Sequence, residues 1–392
     1  MNEVGILGGT FDPIHLGHLK MVDAVTRQLG IRRVMFIPDG DPPHKGTLTG
    51  ASDRLHMVRL AMEGKPGYEA SSLEVKRQGI TYTVDTLKAL CEEEPDSLWC
   101  YIVGADTLDV IETWKTFDVV AKMLSSLAVV PRNTIDRERL KKQAKFISEK
   151  YGLKIYLIDR EVSPISSTEI RLRAQRHLSL DGYVPPNVEH YIINHRLYTD
   201  PILDELRKTM TLMRYRHTLG VETTAEALAK CFHVDPDKAR MAALLHDCAK
   251  HLPMDKMVEM VERADVEMAE GEKDSRALLH AAAGMILAKE QFGVTDPDVL
   301  SAIRWHTTGR AGMSDLEKVI YLADMIEPGR RPFQGIEKIR DAANHSLNEA
   351  MAIAAKRTVL YVRSRGMPLN QRTLELLQNM ENNGENTEYD EF

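Results

Sequence analysis

Val4-Gly5-Ile6-Leu7-Gly8-Gly9-Thr10-Phe11-Asp12-Pro13-Ile14-His15-Leu16-Gly17-His18 decides the fold of the first half of this 392-residue chain. The apolar run 4–7 has the length of a buried strand, and two glycines separate it from a helical pattern over about 16–30. A strand that turns through glycine into a helix is the entry of an open α/β sheet, where ligands bind at the carboxyl ends of the strands. Gly8 and Gly9 let the main chain approach a phosphate closely, and the helix start offers unsatisfied N–H groups to an anion. His15 and His18, three residues apart, share one helical face and can both reach that phosphate. Two imidazoles there suit nucleotidyl transfer. The α-phosphorus of ATP is attacked by an acceptor phosphate, pyrophosphate leaves, and donors fixed in advance meet the charge on the phosphoryl oxygens. A glycine turn with two surface histidines is the plainer alternative, but the whole string at a first strand–helix junction outweighs it.

Working outward, strand-like runs at 34–37, 71–75, 99–103, 126–130 and 155–158 alternate with helical patterns at 53–63 and 83–92. This alternation predicts a mainly parallel sheet covered on both faces, a Rossmann-like α/β domain. Pro185-Pro186 and Pro201 mark a change of character, after which helical periodicity dominates, with long stretches at 221–232, 237–250, 276–292 and 316–327. The expected organisation is an α/β domain over 1–195, a linker over 196–203, an all-α helical bundle over 204–381 and an acidic tail over 382–392. No internal repeat is visible.

Composition limits the partners. With 43% hydrophobic and 28% charged residues the chain reads as globular rather than disordered. A net charge of −7 lacks the basic excess that long nucleic acid demands, while a small phosphorylated ligand needs only a local basic pocket. Cys91, Cys100, Cys231 and Cys248 form no CxxC and read as reduced thiols of a cytosolic protein. No basic-then-apolar leader and no membrane-length apolar run is apparent, so the expectation is a cytoplasmic protein without membrane or nucleic-acid partners. Association into a homo-oligomer is left open.

The string ending in His15-Leu16-Gly17-His18 resembles the HxGH signature of the nucleotidyltransferase superfamily, and Ile165-Ser166-Ser167-Thr168-Glu169-Ile170-Arg171 resembles its ISSTxIR segment. Three further segments resemble bacterial nicotinate-nucleotide adenylyltransferase: Pro42-Pro43-His44-Lys45, Thr81-Tyr82-Thr83-Val84-Asp85-Thr86, and Gly104-Ala105-Asp106 followed by Trp114-Lys115. The likeness spans about 1–195 and implies transfer of AMP from ATP to nicotinate mononucleotide, with His15 and His18 catalytic. It implies an ATP site of Gly8, Gly9, Thr10, Phe11, His15, His18, Gly104, Asp106, Ser166, Ser167, Thr168 and Arg171, with Mg2+ accompanying ATP. It assigns the acceptor to Asp12, His44, Lys45, Thr81, Tyr82, Thr83, Trp114 and Arg132. A different acceptor remains the rival reading.

In the second half, His217, His246-Asp247, His280, His306 and Asp324 lie in or beside helical segments and can converge in a bundle core as a metal site. Nitrogen and oxygen ligands without thiolate admit Fe, Mn, Co, Zn or Mg, and the imidazole share favours a transition metal. The set resembles the H…HD…H…H…D pattern of the HD phosphohydrolase superfamily. That likeness implies one metal on His217, His246, Asp247 and Asp324 and a second on His280 and His306, with Asp247 bridging and catalytic. Flanking strings such as Ala243-Leu244-Leu245-His246-Asp247-Cys248-Ala249-Lys250 and Tyr321-Leu322-Ala323-Asp324-Met325-Ile326-Glu327-Pro328 resemble the HD-domain (YqeK-like) diadenosine tetraphosphate hydrolases. The resemblance implies two transition-metal ions, iron first with Mn, Co or Zn open, and symmetrical cleavage of diadenosine tetraphosphate into two ADP. Lys250, Thr307, Thr308 and Arg330 are the candidates to hold the phosphate chain. The rivals are another nucleotide substrate, or a non-catalytic nucleotide-sensing module that regulates the transferase.

Overall fold

The computed structural model describes residues 2–40, 49–77, 79–131, 136–160 and 165–382. The chain divides into two compact units, Met1–Thr199 and Asp200–Phe392. In the first, six strands form one sheet: β1 (Asn2–Gly9), β2 (Arg33–Pro38), β3 (Tyr68–Ala70), β4 (Ser97–Gly104), β5 (Ser126–Val130) and β6 (Ile155–Leu157). Their order is β3-β2-β1-β4-β5-β6 and every pairing is parallel. The order reverses between β1 and β4, so the loops leaving these strands part and open a crevice at their carboxyl ends.

Side-chain alternation explains the two layers. Along β2, Val34 and Phe36 enter one core, and Met35 and Ile37 enter the other; β5 repeats this with Ala128 and Val130 against Leu127 and Val129. Apolar residues at both parities are what a sheet with two covered faces requires. The helix Leu16–Leu29 lays Leu19, Val22 and Val25 on the first core and ends at Gly30, whose φ of 72° suits glycine.

The expected extended segment over 71–75 does not form. The strand stops at Ala70, the Ser71 hydroxyl accepts from the Leu73 N–H at 3.2 Å, and the Lys76 N–H donates to the Ser72 carbonyl at 3.0 Å. A serine side chain replaces the ladder partner, the chain turns, and Glu74 becomes buried.

The second unit is helical throughout its described residues. Three helices, Pro201–Thr209, Pro236–Leu245 and Pro297–Trp305, open on Asp-Pro. Asp200, Asp235 and Asp296 each accept two main-chain N–H bonds, and each proline fills the first helical position, where no N–H partner exists. The helices Leu212–Cys231, Arg276–Glu290 and Asp315–Ile326 complete the group that carries the histidines and aspartates. The pattern read as helical over 237–250 is helix only to Leu245. Beyond it the Cys248 N–H reaches the Leu245 carbonyl at 3.1 Å and the Lys250 N–H reaches the Asp247 carbonyl at 3.0 Å, so His246 and Asp247 stand in tight turns at the helix end. Helix Gln371–Asn382 is the last described element, and 383–392 of the expected acidic tail lie outside the described residues. No helix among the described residues is long and apolar enough to cross a membrane.

Candidate functional site

The first site lies at the switch point. His15 is the N-cap of the Leu16–Leu29 helix and makes a capping box with His18: each main-chain N–H donates to the other residue's Nδ1 at 3.3 Å. The rings stack with centroids 3.6 Å apart, and Phe11 meets His18 edge-on at 5.0 Å. An Nδ1 that accepts a hydrogen bond leaves the proton of a neutral imidazole on Nε2, so both rings are set as Nε2–H donors. Gly17 is required by the same geometry, since a Cβ there would lie 2.9 Å from His15 Nδ1 and 3.4 Å from Ile165.

The second string is tied to this loop. Arg171 Nη1 donates to the Asp12 carbonyl at 2.7 Å, Ser167 Oγ to the Pro13 carbonyl at 3.0 Å, and Arg171 Nη2 to Thr168 Oγ1 at 3.2 Å. Ser166 caps the helix Ser167–Gln175 by accepting from the Glu169 N–H. Thr10 Oγ1 donates to Asp39 Oδ2 at 3.0 Å. Asp12 is buried, and its Oδ1 accepts from Tyr198 Oη at 2.7 Å. Gly104 ends β4 and caps the short helix Ala105–Val110, whose first turn carries the exposed Asp106.

Among the residues expected on the acceptor side, the Tyr82 ring carries Lys115 Nζ at 4.0 Å, and Trp114 is half-buried with Tyr101 edge-on at 5.4 Å. Thr81 Oγ1 donates to the buried Glu74 Oε2 at 2.9 Å, and Thr86 Oγ1 donates to Oε1 at 2.6 Å. Burial pushes the Glu74 carboxyl up, against the pull of the two hydroxyls. The Tyr101 hydroxyl joins the two sides: it neighbours Thr83, and a Cβ on Gly8 would lie 2.3 Å from it. His44, Lys45 and Arg132 lie outside the described residues.

Sequence reasoning missed Arg54. Its side chain is buried, and its guanidinium donates to the carbonyls of Thr10 at 2.7 Å, Gly40 at 2.8 Å and Thr49 at 3.2 Å. It ties Thr10, just after β1, to Gly40, just after β2, and to Thr49. Only main-chain acceptors are involved, so no sequence signal announces it.

In the second unit all six predicted residues meet. His280 Nε2 and His306 Nε2 lie 3.2 and 3.5 Å from Asp247 Oδ1, and His246 Nε2 lies 3.5 Å from Asp247 Oδ2. His217 Nε2 is 3.0 Å from Asp324 Oδ1, which is 3.9 Å from His246 Nε2. Ligand atoms of three overlapping trios, His217/His246/Asp247, His246/His306/Asp324 and Asp247/His280/His306, fall within 4.8 Å of one another. The opposite ring nitrogens are held from behind. His246 Nδ1 and His306 Nδ1 face the carbonyls of Ala243 at 2.6 Å and Ile303 at 2.7 Å, each three residues back at a helix end, and His217 Nδ1 faces Glu327 Oε1 at 3.1 Å. Protons on Nδ1 leave Nε2 lone pairs pointing at the cluster, as a metal-ligating histidine needs.

Burial opposes ionisation of Asp247, yet His246, His280 and His306 hold its carboxyl well below the usual range. Burial likewise opposes ionisation of Asp324, which His217 and Arg330 keep low. Burial pushes the His280 imidazole down to about 4 and lowers His306. Burial also works against a proton on His217, but Asp324 and Glu327 outweigh it. Buried His246 Nε2 has no hydrogen-bond partner among the described residues, a cost that a bound cation would remove. The donor set of imidazole and carboxylate therefore fits a divalent transition metal.

Three residues around this cluster were given no role from the sequence: Arg214, whose Nη1 bonds Asp247 Oδ2; Glu327, behind His217; and Gly220, where a Cβ would lie 2.5 Å from Glu327 Oε2. Among the phosphate-chain candidates, Lys250 Nζ sits 2.6 Å from Asp247 Oδ1, Arg330 Nη1 3.4 Å from Asp324 Oδ1, and Thr307 Oγ1 3.1 Å from His306 Nε2. Thr308 does not join them. It is buried, its hydroxyl donates to the Gly309 carbonyl at 3.0 Å, and its carbonyl accepts from Thr373.

A Cytidylyltransferase-like family model matches residues 6–173, and an HD domain model matches residues 214–329. A probable nicotinate-nucleotide adenylyltransferase of Synechococcus sp. (strain JA-3-3Ab) is 40% identical over 201 residues, 51% of this chain and 96% of that protein. One of Clostridium botulinum (strain Kyoto / Type A2) is 37% identical over 200 residues, 50% of this chain and 100% of that protein. The crystal structure of a predicted HD superfamily hydrolase involved in NAD metabolism from Clostridium acetobutylicum is 43% identical, covering 46% of this chain and 96% of that one, with a TM-score of 0.45.

Proposed function

The chain belongs to the nicotinate-nucleotide adenylyltransferase family, and we propose that it is a cytoplasmic bifunctional enzyme that both makes and cleaves adenylylated dinucleotides. In the first unit, a phosphate oxygen of nicotinate mononucleotide attacks the α-phosphorus of ATP, the bond to the β-phosphate breaks, and nicotinate adenine dinucleotide and pyrophosphate leave. The observation that carries this reading is the reciprocal capping of His15 and His18, which sets two Nε2–H donors side by side at the β1 turn. Donors fixed before charge develops on a phosphoryl oxygen are the main catalytic resource such a transfer needs. Ser167, Thr168 and Arg171 bracket the same loop for the outer phosphates of ATP, which Mg2+ would accompany. Tyr82, Thr83 and Trp114 form the acceptor side, with His44 and Lys45 proposed for the acceptor phosphate and Arg132 for nicotinate mononucleotide.

In the second unit, we assign His217, His246, Asp247 and Asp324 to one transition metal and His280, His306 and Asp247 to another, iron first among Fe, Mn, Co and Zn. Such ions supply an activated water and offset charge at phosphorus. The chain's own groups orient the ligands from behind through Ala243, Ile303 and Glu327 and place Lys250, Thr307 and Arg330 around the cluster. The proposed substrate is diadenosine tetraphosphate, cleaved symmetrically into two ADP. The test is product analysis with the metal-loaded full chain. ADP alone supports symmetrical cleavage, and ATP plus AMP keeps a phosphohydrolase but overturns the geometry. No turnover with Fe, Mn, Co or Zn favours a sensing module.

A further inference from the structure

Beside the metal-ligand cluster of the second unit lies a cleft of about 670 Å³, walled by the start of the helix Leu212–Cys231 and by the turn after Asp315–Ile326. Four of its lining residues are arginines: Arg214, Arg216, Arg330 and Arg331. Two are engaged by the cluster, Arg214 with Asp247 and Arg330 with Asp324. Arg216 and Arg331 are exposed and make no hydrogen bond or ion pair with any described residue. Glu327 is the lone carboxylate of the lining, and it is turned to His217 and the Gly329 N–H. Carboxylates already answer Arg214 and Arg330, which leaves the guanidinium forks of Arg216 and Arg331 to be matched, and such forks match phosphate oxygens. Leu212 and Met213 line the same cleft and are 49% and 75% exposed, an apolar ledge beside the positive wall.

We propose that this cleft binds a nucleoside polyphosphate, with Arg216 and Arg331 on the phosphates distal to the cluster and the nucleoside against Met213. The inference rests on the phosphohydrolase reading of the adjacent cluster and adds what that reading lacks, a site that measures phosphate-chain length. Arg214 and Arg330 stand between cluster and cleft, so a chain anchored on Arg216 and Arg331 would present an inner phosphate to the cluster.

The test is calorimetric titration of the metal-loaded full chain with inorganic tripolyphosphate, parent against the double variant Arg216→Gln/Arg331→Gln. Only binding in the second unit can respond to these substitutions. The expected result is a loss of affinity of at least about tenfold, the scale of one or two charge-assisted bonds, with metal content and thermal melting unchanged. The double Lys variant should recover part of the loss. Equal affinity of parent and Gln variant, or no binding by the parent, overturns the proposal. Met213→Ser should weaken diadenosine tetraphosphate and spare tripolyphosphate, and an equal effect on both removes the nucleoside from the assignment. If the parent binds tripolyphosphate through these arginines but cleaves no diadenosine tetraphosphate, the substrate reading fails and the cleft stands. Cleavage that does not depend on the arginines overturns the cleft and leaves the substrate reading intact.

Discussion

His15 and His18 in the first unit and His246 and His306 in the second are prepared by opposite devices. In the crevice, each imidazole accepts a main-chain N–H at Nδ1 from the other's own residue, and the protons stand on Nε2. In the bundle, each Nδ1 faces a carbonyl three residues back, and Nε2 keeps its lone pair. The backbone thus decides whether a histidine is left with an Nε2 proton to donate or an Nε2 lone pair to give: a helix N-terminus offers N–H groups and a helix C-terminus offers carbonyls. The first pair needs only four consecutive residues. The second needs five segments packed around one buried carboxylate, so the two sites fail differently when altered.

The largest difference is expected at Asp247, which faces three imidazoles, Arg214 and Lys250. Asp247→Ala should lower phosphohydrolysis by roughly 10⁴-fold or more, the scale for removing a central catalytic group, and should empty the cluster of metal on elemental analysis. Adenylyl transfer by the same variant should stay at the parent rate. Retained hydrolysis would remove the catalytic assignment of the cluster. Next in size, His18→Ala should cut adenylyl transfer about 10²–10³-fold, the scale for one preorganised donor, and leave hydrolysis untouched; a loss under threefold in initial-rate assays would sink the role.

A middle-sized effect sharpens the contrast. Glu327 touches no substrate in this reading but holds His217 Nδ1 at 3.1 Å. Glu327→Gln should weaken metal affinity about 10–100-fold, as loss of an outer-shell partner does. Competition with a chelator would measure it, and unchanged affinity would mean that the ring is held by packing alone.

The two sites were also unequally legible in the sequence. The string Gly8 to His18 announced both strand-to-helix geometry and chemistry because its contacts are local. The six ligand candidates were legible only as a set, since no local feature brings His217 to Asp324. What escaped was whatever depends on main-chain acceptors or distant partners. Arg54 bonds three carbonyls, and Arg214 reaches Asp247 across 33 positions of sequence. Thr308 looked like its neighbour Thr307, but the turn after Trp305 sends one hydroxyl to the cluster and the other inward. The segment 71–75 looked extended because its apolar residues alternate, whereas Ser71 caps a turn.

That turn creates the smallest and most discriminating prediction. Glu74 is destabilised where it stands, since burial raises its carboxyl, and a raised acid contributes least to stability once pH rises above that raised value. Two hydroxyl bonds, to Thr81 and Thr86, tie it to both ends of the acceptor-side segment. Glu74→Gln removes the ionisable group and weakens those bonds, so the two effects on stability oppose each other and the melting temperature at neutral pH should move little. The acceptor side should loosen nonetheless. The KM for nicotinate mononucleotide is expected to rise by roughly fivefold, about 1 kcal/mol for a hydrogen bond, with the KM for ATP unchanged. A matched rise in both constants would mean that Glu74 supports the whole crevice, as Arg54 does. A rise in one alone would make it the positioning residue of the acceptor side, the counterpart in the first unit of Glu327 in the second.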